Sequence, residues 1–504
     1  MSNATYKTLA PHLRRVLELD PSAVAIEAGD RRYTWGDLAT AASEISKLLD
    51  EAGVPKESPV GWFAHNRPAS VASFVGLLLC DRMIVPLRPR QSPAAVGAEL
   101  VSQNLCAIIG QTEDWQVDAI SAAAIEIGSL AIAVDDATAL RVSAVSGLTK
   151  IGAGPHRPSQ PGVVLERLTS GTTGPPKRIP VGEDVLIPAL LAGAQSKSSD
   201  TGQSLRLKKS PAILLKPFSH AGGLFGLLLT LYQARPMVLI DRFDPEEWAN
   251  IVQRYQPKSA SLVPAMIRMI LDARISREKL LSLKAIRSGT APLDPETQIE
   301  FESCYGVPVL VDYGAAEFIG GIAGWTLEDH KKYSKTKTGS VGRPRRDVEL
   351  SLRSAETGED VPTGEIGVLH LRGPRFGEDW HRTNDLALVD ADGFLFLKGR
   401  ADDAINRGGF KILPDDVASV LRRYPGVRDA AVIGKHDSRL GEVPVAALEL
   451  TPGTVPPTED DLHAFSRKHL AAYMVPVEFK VVDELPRTAS MKVSRPLLKS
   501  LLRI

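Results

Sequence analysis

Apolar positions recur at helical spacing over residues 9–19, which predicts an amphipathic helix, and Val24-Ala25-Ile26 with Arg32-Tyr33-Thr34-Trp35 predicts a short hairpin. Thr34 then stands as the N-cap of a helix over 35–52, with Asp37 as the acidic partner of a capping box and Gly53 as the stop. Unbroken apolar runs at 60–63 and 83–87 predict buried strands, and the helix expected over 69–81 lies between them. The alternation continues through strands at 107–109 and 131–134 and alanine-rich helices at 93–103 and 119–127, so a parallel or mixed sheet covered on both faces is expected. A polar, Gly- and Pro-rich stretch over 143–161 interrupts it. Further on the alternation resumes, with strands at 212–215, 236–240 and 259–263 and helices at 224–232, 245–256 and 264–273.

From Asp347 the period drops to two. Strands at 348–352, 367–372 and 393–398, separated by turns such as Thr357-Gly358 and Asp392-Gly393, predict a small, mostly antiparallel unit. The charged run Gly399-Arg400-Ala401-Asp402-Asp403 ends it, and helix–strand alternation starts afresh at Leu413, leaving enough chain for a separate domain. The expected fold class is α/β. A large N-terminal domain over 1–400 combines α/β layers with mixed sheets and a small β-rich subdomain, and a small α+β domain occupies 401–504.

Composition narrows the function classes. At 504 residues the chain exceeds what one ordinary core covers, and its 60 basic and 60 acidic residues balance, so charge recruits neither nucleic acid nor an anionic membrane. Cys80, Cys106 and Cys304 lie far apart without metal-ligand spacing, as expected of reduced, mostly buried thiols in a cytoplasmic protein. The first residues lack the apolar core of a signal peptide, and the longest apolar run, 221–232, falls short of the roughly 18 residues a membrane helix needs.

The stretch 168–180, Leu-Thr-Ser-Gly-Thr-Thr-Gly-Pro-Pro-Lys-Arg-Ile-Pro, changes the picture most. Its glycines and prolines exclude a helix interior or a central strand. By composition it is either a solvated turn or an anion cradle: Gly171 and Gly174 allow close backbone approach, Thr169, Ser170, Thr172 and Thr173 carry hydroxyls, and Lys177 adds a positive charge. It is not a Walker loop, because its glycines are three apart and two prolines precede the lysine. In order, the residues resemble the phosphate-binding loop of the adenylate-forming superfamily, which comprises acyl- and aryl-CoA synthetases, luciferases and peptide-synthetase adenylation domains. The family loop, Thr-Ser-Gly-Thr-Thr-Gly-X-Pro-Lys-Gly, is matched from Thr169 to Lys177, and Arg178 stands where the family has glycine.

Further segments resemble the same family in the same order. Pro217-Phe218-Ser219-His220 resembles the segment lining the acyl pocket and thiol path, which assigns His220 to that wall as a candidate catalytic residue. Ser288-Gly289-Thr290-Ala291-Pro292-Leu293 resembles the loop packing on adenine and the acyl group, assigning Gly289, Ala291 and Pro292 to nucleotide binding. In Asp312-Tyr313-Gly314-Ala315-Ala316-Glu317 the resemblance implies that Asp312, Tyr313 and Gly314 line the AMP site and that Glu317 holds magnesium, while Ala316 replaces the phosphate-binding threonine. Trp380 to Asp385 implies a ribose-binding Asp385, with Asn384 in place of glycine; Arg400 is the second ribose and phosphate contact, and Asp402 falls at the family's hinge. Gly408-Gly409 resembles the pair bordering the pantetheine tunnel, and Pro486 to Arg495 carries Lys492 at the place of the catalytic lysine, with Met491 replacing glycine.

The resemblance implies an ATP- and Mg2+-dependent ligase that converts a carboxylic acid to an acyl-adenylate and passes it to CoA, its C-terminal domain moving between the half-reactions. Two alternatives stand beside it: loading of a carrier protein or an amine, and a degenerate, non-catalytic nucleotide- or acyl-binding homologue, suggested by Arg178, Ala316, Asn384 and Met491. The expected state is a monomer or homodimer without a membrane span. Leu224, Phe225, Val263, Met266 and Ile267 suggest an apolar acid pocket, and no basic residue stands out for a second carboxylate, which favours aromatic or medium-chain monocarboxylates.

Overall fold

Thr34 and Asp37 form the expected capping box: the Asp37 N–H donates to Thr34 Oγ1 at 3.1 Å and the Thr34 N–H to Asp37 Oδ2 at 2.7 Å, opening a helix at Trp35–Glu51. The computed structural model describes residues 8–168, 178–195, 205–314, 320–374, 377–488 and 491–504. Helix Pro68–Leu79 packs against Trp35–Glu51 and is buried except at its last residue, which suits its almost wholly apolar sequence. It stops before the predicted 81, where Asp81 takes a φ of +55°.

A seven-stranded sheet forms the centre of the first part of the chain. Leu130–Asp135, Ala107–Gln111, Pro59–Phe63, Met83–Leu87 and Val163–Leu168 run parallel in that order, and the antiparallel strands Arg141–Ala144 and Arg178–Gly182 close its two edges. The three middle strands of this set, all buried along their length, are the runs whose apolar sequence lacks alternation. Residues 169–177, the whole of the glycine-rich match, join Val163–Leu168 to Arg178–Gly182 and lie outside the described residues.

A second sheet orders Ala212–Leu214, Met237–Leu239, Val24–Ala28 and Arg31–Thr34, and a third orders Ser259–Leu262, Ala285–Ser288, Val309–Tyr313, Ala323–Gly324 and Arg343–Pro344. The β-rich unit is a four-stranded antiparallel sheet of Glu349–Arg353, Gly367–Gly373, Gly377–Val389 and Leu395–Arg400. Its longest strand, Gly377–Val389, has no counterpart among the predicted strands, because its polar run Glu378 to Asp385 hides the period-2 signal.

From Ile405 onward the chain builds a further sheet, with Phe410–Ile412, Ile405–Arg407, Gly441–Leu450 and Val427–Asp437 in order and Glu478–Val482 beside Gly441–Leu450. Two hydrophobic clusters there draw only on residues from 405 to the end. Exposed ion pairs, Arg428 to Asp272 at 2.7 Å and Lys411 to Glu356 at 3.3 Å, join this part to the rest and contribute little individually. Among the described residues no helix is long and apolar enough to cross a membrane. Cys80 and Cys106 are buried and Cys304 is exposed; all three are free thiols.

Candidate active site

Strand Ala212–Leu214 ends in a turn, and helix Ala221–Tyr232 begins with His220 as its N-cap. Gly223 permits the close approach, since a Cβ there would stand 2.1 Å from the Pro217 carbonyl oxygen. Buried Asn66 brackets the turn from a distant loop, donating from Nδ2 to the Lys216 carbonyl and accepting the Phe218 N–H at Oδ1, both at 3.0 Å. Nothing in the local sequence marks Asn66 for this role. Burial, reinforced by the positive charges of Lys492 and Arg88, pushes the His220 imidazole down to about 4. His220 and Lys492 both line one cleft of about 3310 Å³, so the two ends of the sequence pattern meet there.

Gly289, Ala291, Pro292, Asp312, Tyr313, Gly314, Asp385 and Arg400 line the same cleft. The Tyr313 hydroxyl donates to Asp385 Oδ2, and Asp385 faces Arg400 across the antiparallel ladder. Buried Thr383 orients that aspartate: its hydroxyl donates to the Leu369 carbonyl at 2.8 Å and accepts the Asp385 N–H at 3.0 Å. Arg400 grips Asp402 with Nε and Nη2 at 2.9 and 3.1 Å, and this pairing raises the Arg400 pKa. Asn384 Nδ2 reaches the same Asp402 carboxylate at 3.4 Å, so the side chain that departs from the family glycine touches the predicted hinge. The neighbouring Asp403, almost fully buried, pairs with Arg495 at 2.6 Å.

Lys492 sits on a tight hairpin. The Thr488 N–H donates to the Lys492 carbonyl at 2.7 Å, the Met491 N–H donates to the Thr488 carbonyl at 2.8 Å, and Arg487 bridges Val493. Met491 adopts a φ of +64°, the backbone shape glycine takes without penalty, and so keeps the geometry of the residue it replaces at a cost of about 1 kcal/mol. Its half-buried side chain packs on the cluster containing Met266 and Ile267, which belongs to the first part of the chain.

Gly408 and Gly409 do not line the cleft. At φ values of +57° and +90° they form the two-residue turn of the hairpin Ile405–Arg407 and Phe410–Ile412, which by itself accounts for two glycines. Asp402 does not line it either. Thr169, Ser170, Gly171, Thr172, Thr173, Gly174, Lys177 and Glu317 lie outside the described residues, as does Ala316. Among the described residues no group of three or more His, Cys, Asp or Glu is arranged to hold a metal ion.

Charged side chains absent from the sequence-based site also line the cleft. Asp312 pairs with Arg287, at 3.1 Å, and with Arg345, at 2.7 Å, and Lys216 projects from the turn before His220. These three cations come from separate segments, and their convergence has no signature along the chain.

The family model described as AMP-binding enzyme matches residues 13–378, and the model of the AMP-binding enzyme C-terminal domain matches 416–492. A 2-succinylbenzoate–CoA ligase of Geobacillus kaustophilus is 29% identical, covering 98% of each chain, and a long-chain-fatty-acid–CoA ligase of Bacillus subtilis is 25% identical, covering 97% of this chain and 93% of its own. The o-succinylbenzoate CoA synthetase of Bacillus subtilis, solved in complex with ATP and magnesium, shares the fold at a TM-score of 0.79, with 24% identity and coverage of 97% of this chain and 99% of that one.

Proposed function

Because the chain belongs to the AMP-binding enzyme family, we propose that its cleft carries out both half-reactions of an AMP-forming acid–thiol ligase. The enzyme activates a carboxylic acid with ATP to an acyl-adenylate, releasing pyrophosphate, and then forms the CoA thioester, releasing AMP. The observation that carries the site assignment is that Lys492, near the C-terminus, lines the same cleft as His220, Tyr313 and Asp385.

Each assigned residue answers a need of the chemistry. A carboxylate oxygen must attack the α-phosphorus against the repulsion of like charges, and the Lys492 ammonium offsets that charge where the two meet. His220, neutral at pH 7, acts as a wall rather than as a proton donor. Tyr313 presents its ring to adenine while its hydroxyl holds Asp385 in place to accept the ribose hydroxyls. Residues 169–177 grip the β- and γ-phosphates. Glu317 is the residue proposed to hold magnesium, a metal that keeps most of its ligands as phosphate and water oxygens. When bound, the ion neutralises charge on the departing pyrophosphate.

In this reading the domain boundary falls at 400/401, and the orientation seen serves adenylation, with Lys492 inside the cleft and Gly408-Gly409 outside it. Rotation about Asp402 would exchange them and bring the CoA thiol to the adenylate. Met491 biases that exchange. The strain of its backbone is local to the hairpin and cancels between orientations, whereas its packing on the Met266 cluster exists only in this one. That half-burial stands for about 1 kcal/mol, so Met491→Gly is expected to slow single-turnover adenylation about fivefold without slowing thioester formation from added acyl-adenylate.

The reading is tested by following pyrophosphate and AMP over a panel of carboxylic acids, with and without CoA. Acid-dependent pyrophosphate release, and thioester only when CoA is present, is the expected result. Pyrophosphate release that ignores the acid, or ADP in place of AMP, overturns it.

A further inference from the structure

We propose that Lys216, with the Arg287 and Arg345 side chains paired to Asp312 in the same cleft, forms a second-anion subsite, and that the acid this protein activates carries a second anionic group, in the simplest case a second carboxylate. The proposal rests on the acid-activating reading above.

The charge count points to a missing partner. Arg287 Nη1 lies 3.1 and 3.2 Å from the two Asp312 oxygens and Arg345 Nη2 lies 2.7 Å from Oδ1, so one carboxylate already serves two guanidinium groups. The Lys216 ammonium forms no ion pair or hydrogen bond among the described residues, although Asp312 acts on it through space. Among the described residues, Arg287, Arg345 and Lys216 set three cations against the Asp312 carboxylate, an excess of positive charge in a partly enclosed site that a bound anion offsets. Enclosure pulls the Lys216 pKa down, and the Asp312 charge opposes the fall. The excess matches a carboxylate better than the larger charge of a triphosphate.

Geometry supports the same place. The Lys216 stem passes Gly222, where a Cβ would stand 3.9 Å from Lys216 Cδ, and Thr290 Cγ2 would stand 3.5 Å from that same Cβ. Thr290, a β-branched residue, holds a φ of +75°, and its buried hydroxyl has no hydrogen-bond partner among the described residues. Thr290 itself lines the cleft, and backbone strain of this kind collects at ligand-binding sites. Lys216, Thr290 and the Asp312 pair all line the cleft that holds His220 and Lys492, so one acid can place one carboxylate at Lys492 and its second anion here.

The test compares α,ω-dicarboxylates from malonate to adipate, and phthalate, each with its monocarboxylate counterpart, in ATP–pyrophosphate exchange by the parent enzyme, Lys216→Met and Lys216→Arg. The expected result is that kcat/KM for the best diacid exceeds that of its counterpart at least about tenfold, that Lys216→Met cuts this ratio at least about tenfold, and that Lys216→Arg restores part of it. A monoacid preferred in every pair, a ratio unchanged in Lys216→Met, or an equal rise in KM for ATP with both acids overturns the subsite. If no acid supports exchange, the adenylation reading itself fails. Calorimetric titration of the same diacids then decides the subsite alone: binding to the parent that Lys216→Met loses upholds it, and no diacid binding overturns it.

Discussion

Lys492→Ala is expected to lower acid-dependent ATP–pyrophosphate exchange by about 10²–10³-fold, the scale of losing one preorganised charge at the reacting centre, while thioester formation from supplied acyl-adenylate stays near the parent rate. The asymmetry follows from position. Lys492 follows the Thr488–Lys492 turn into the cleft that His220 also lines, where the acid carboxylate and the α-phosphate must meet, and its charge adds to the burial that lowers the His220 pKa. In the second half-reaction the proposed rotation removes the hairpin from that place, so its side chain has no charge left to stabilise. Single-turnover measurements of the two steps separate the outcomes. Equal loss in both steps refutes the adenylation-specific role, because it shows either a folding defect or a part in both reactions. Removal of the charge is also expected to let the His220 pKa rise from about 4, which NMR titration of the imidazole reads independently of activity.

Arg178→Gly, which restores the family residue, is expected to destabilise the first domain by about 1–3 kcal/mol, the range for taking hydrogen bonds from buried acceptors whose charge keeps another partner. Arg178 is folded inward at the edge of the central sheet. Its Nη2 donates to Glu99 Oε1 at 2.6 Å, and its Nη1 donates to the Pro86 carbonyl at 3.0 Å and lies 3.3 Å from Glu166 Oε2. Glu166 is only 3% exposed and also pairs with Arg157, while Glu99 at 9% is shared with Arg88. Without Arg178 the two acids keep one partner each but lose the cation that joins strand Val163–Leu168 to helix Pro93–Gln103. Chemical denaturation of the parent, Arg178→Gly and Arg178→Gly with Glu99→Gln checks it: the second change is expected to recover part of the loss, and an unaltered midpoint in Arg178→Gly refutes the account. The departure that looked like a weakened phosphate loop thus has a structural reason outside that loop.

The other departures divide in the same way. Met491 keeps a glycine backbone shape and adds a packing contact, and Asn384 adds a hydrogen bond to Asp402. Neither contact is visible along the chain, because each joins residues from different elements. Several local features were legible. The Thr34 capping box and the buried strands at 60–63 and 83–87 depend on residues within a few positions of one another, where propensity and period act directly. Helix Glu183–Gln195 escaped because Pro188 breaks its pattern, and Pro295–Tyr305 because its apolar residues form no clear stripe, although Asp294 and Pro295 mark its start.

Sequence alone determined the family, the order of the motifs and the residue types each step of the chemistry requires, because these reside in short segments that bind through their own backbone and side chains. Tertiary structure decided which of those segments share a cleft, placing Lys492 and His220 in it and leaving Gly408-Gly409 outside. It also brought Lys216 and the Arg287–Asp312–Arg345 ion pairs into that cleft from four separate segments. The physical reason is range: a turn or a cap is settled by neighbours in the chain, whereas the charge balance of a cleft is set by whatever distant side chains the packed sheets bring together.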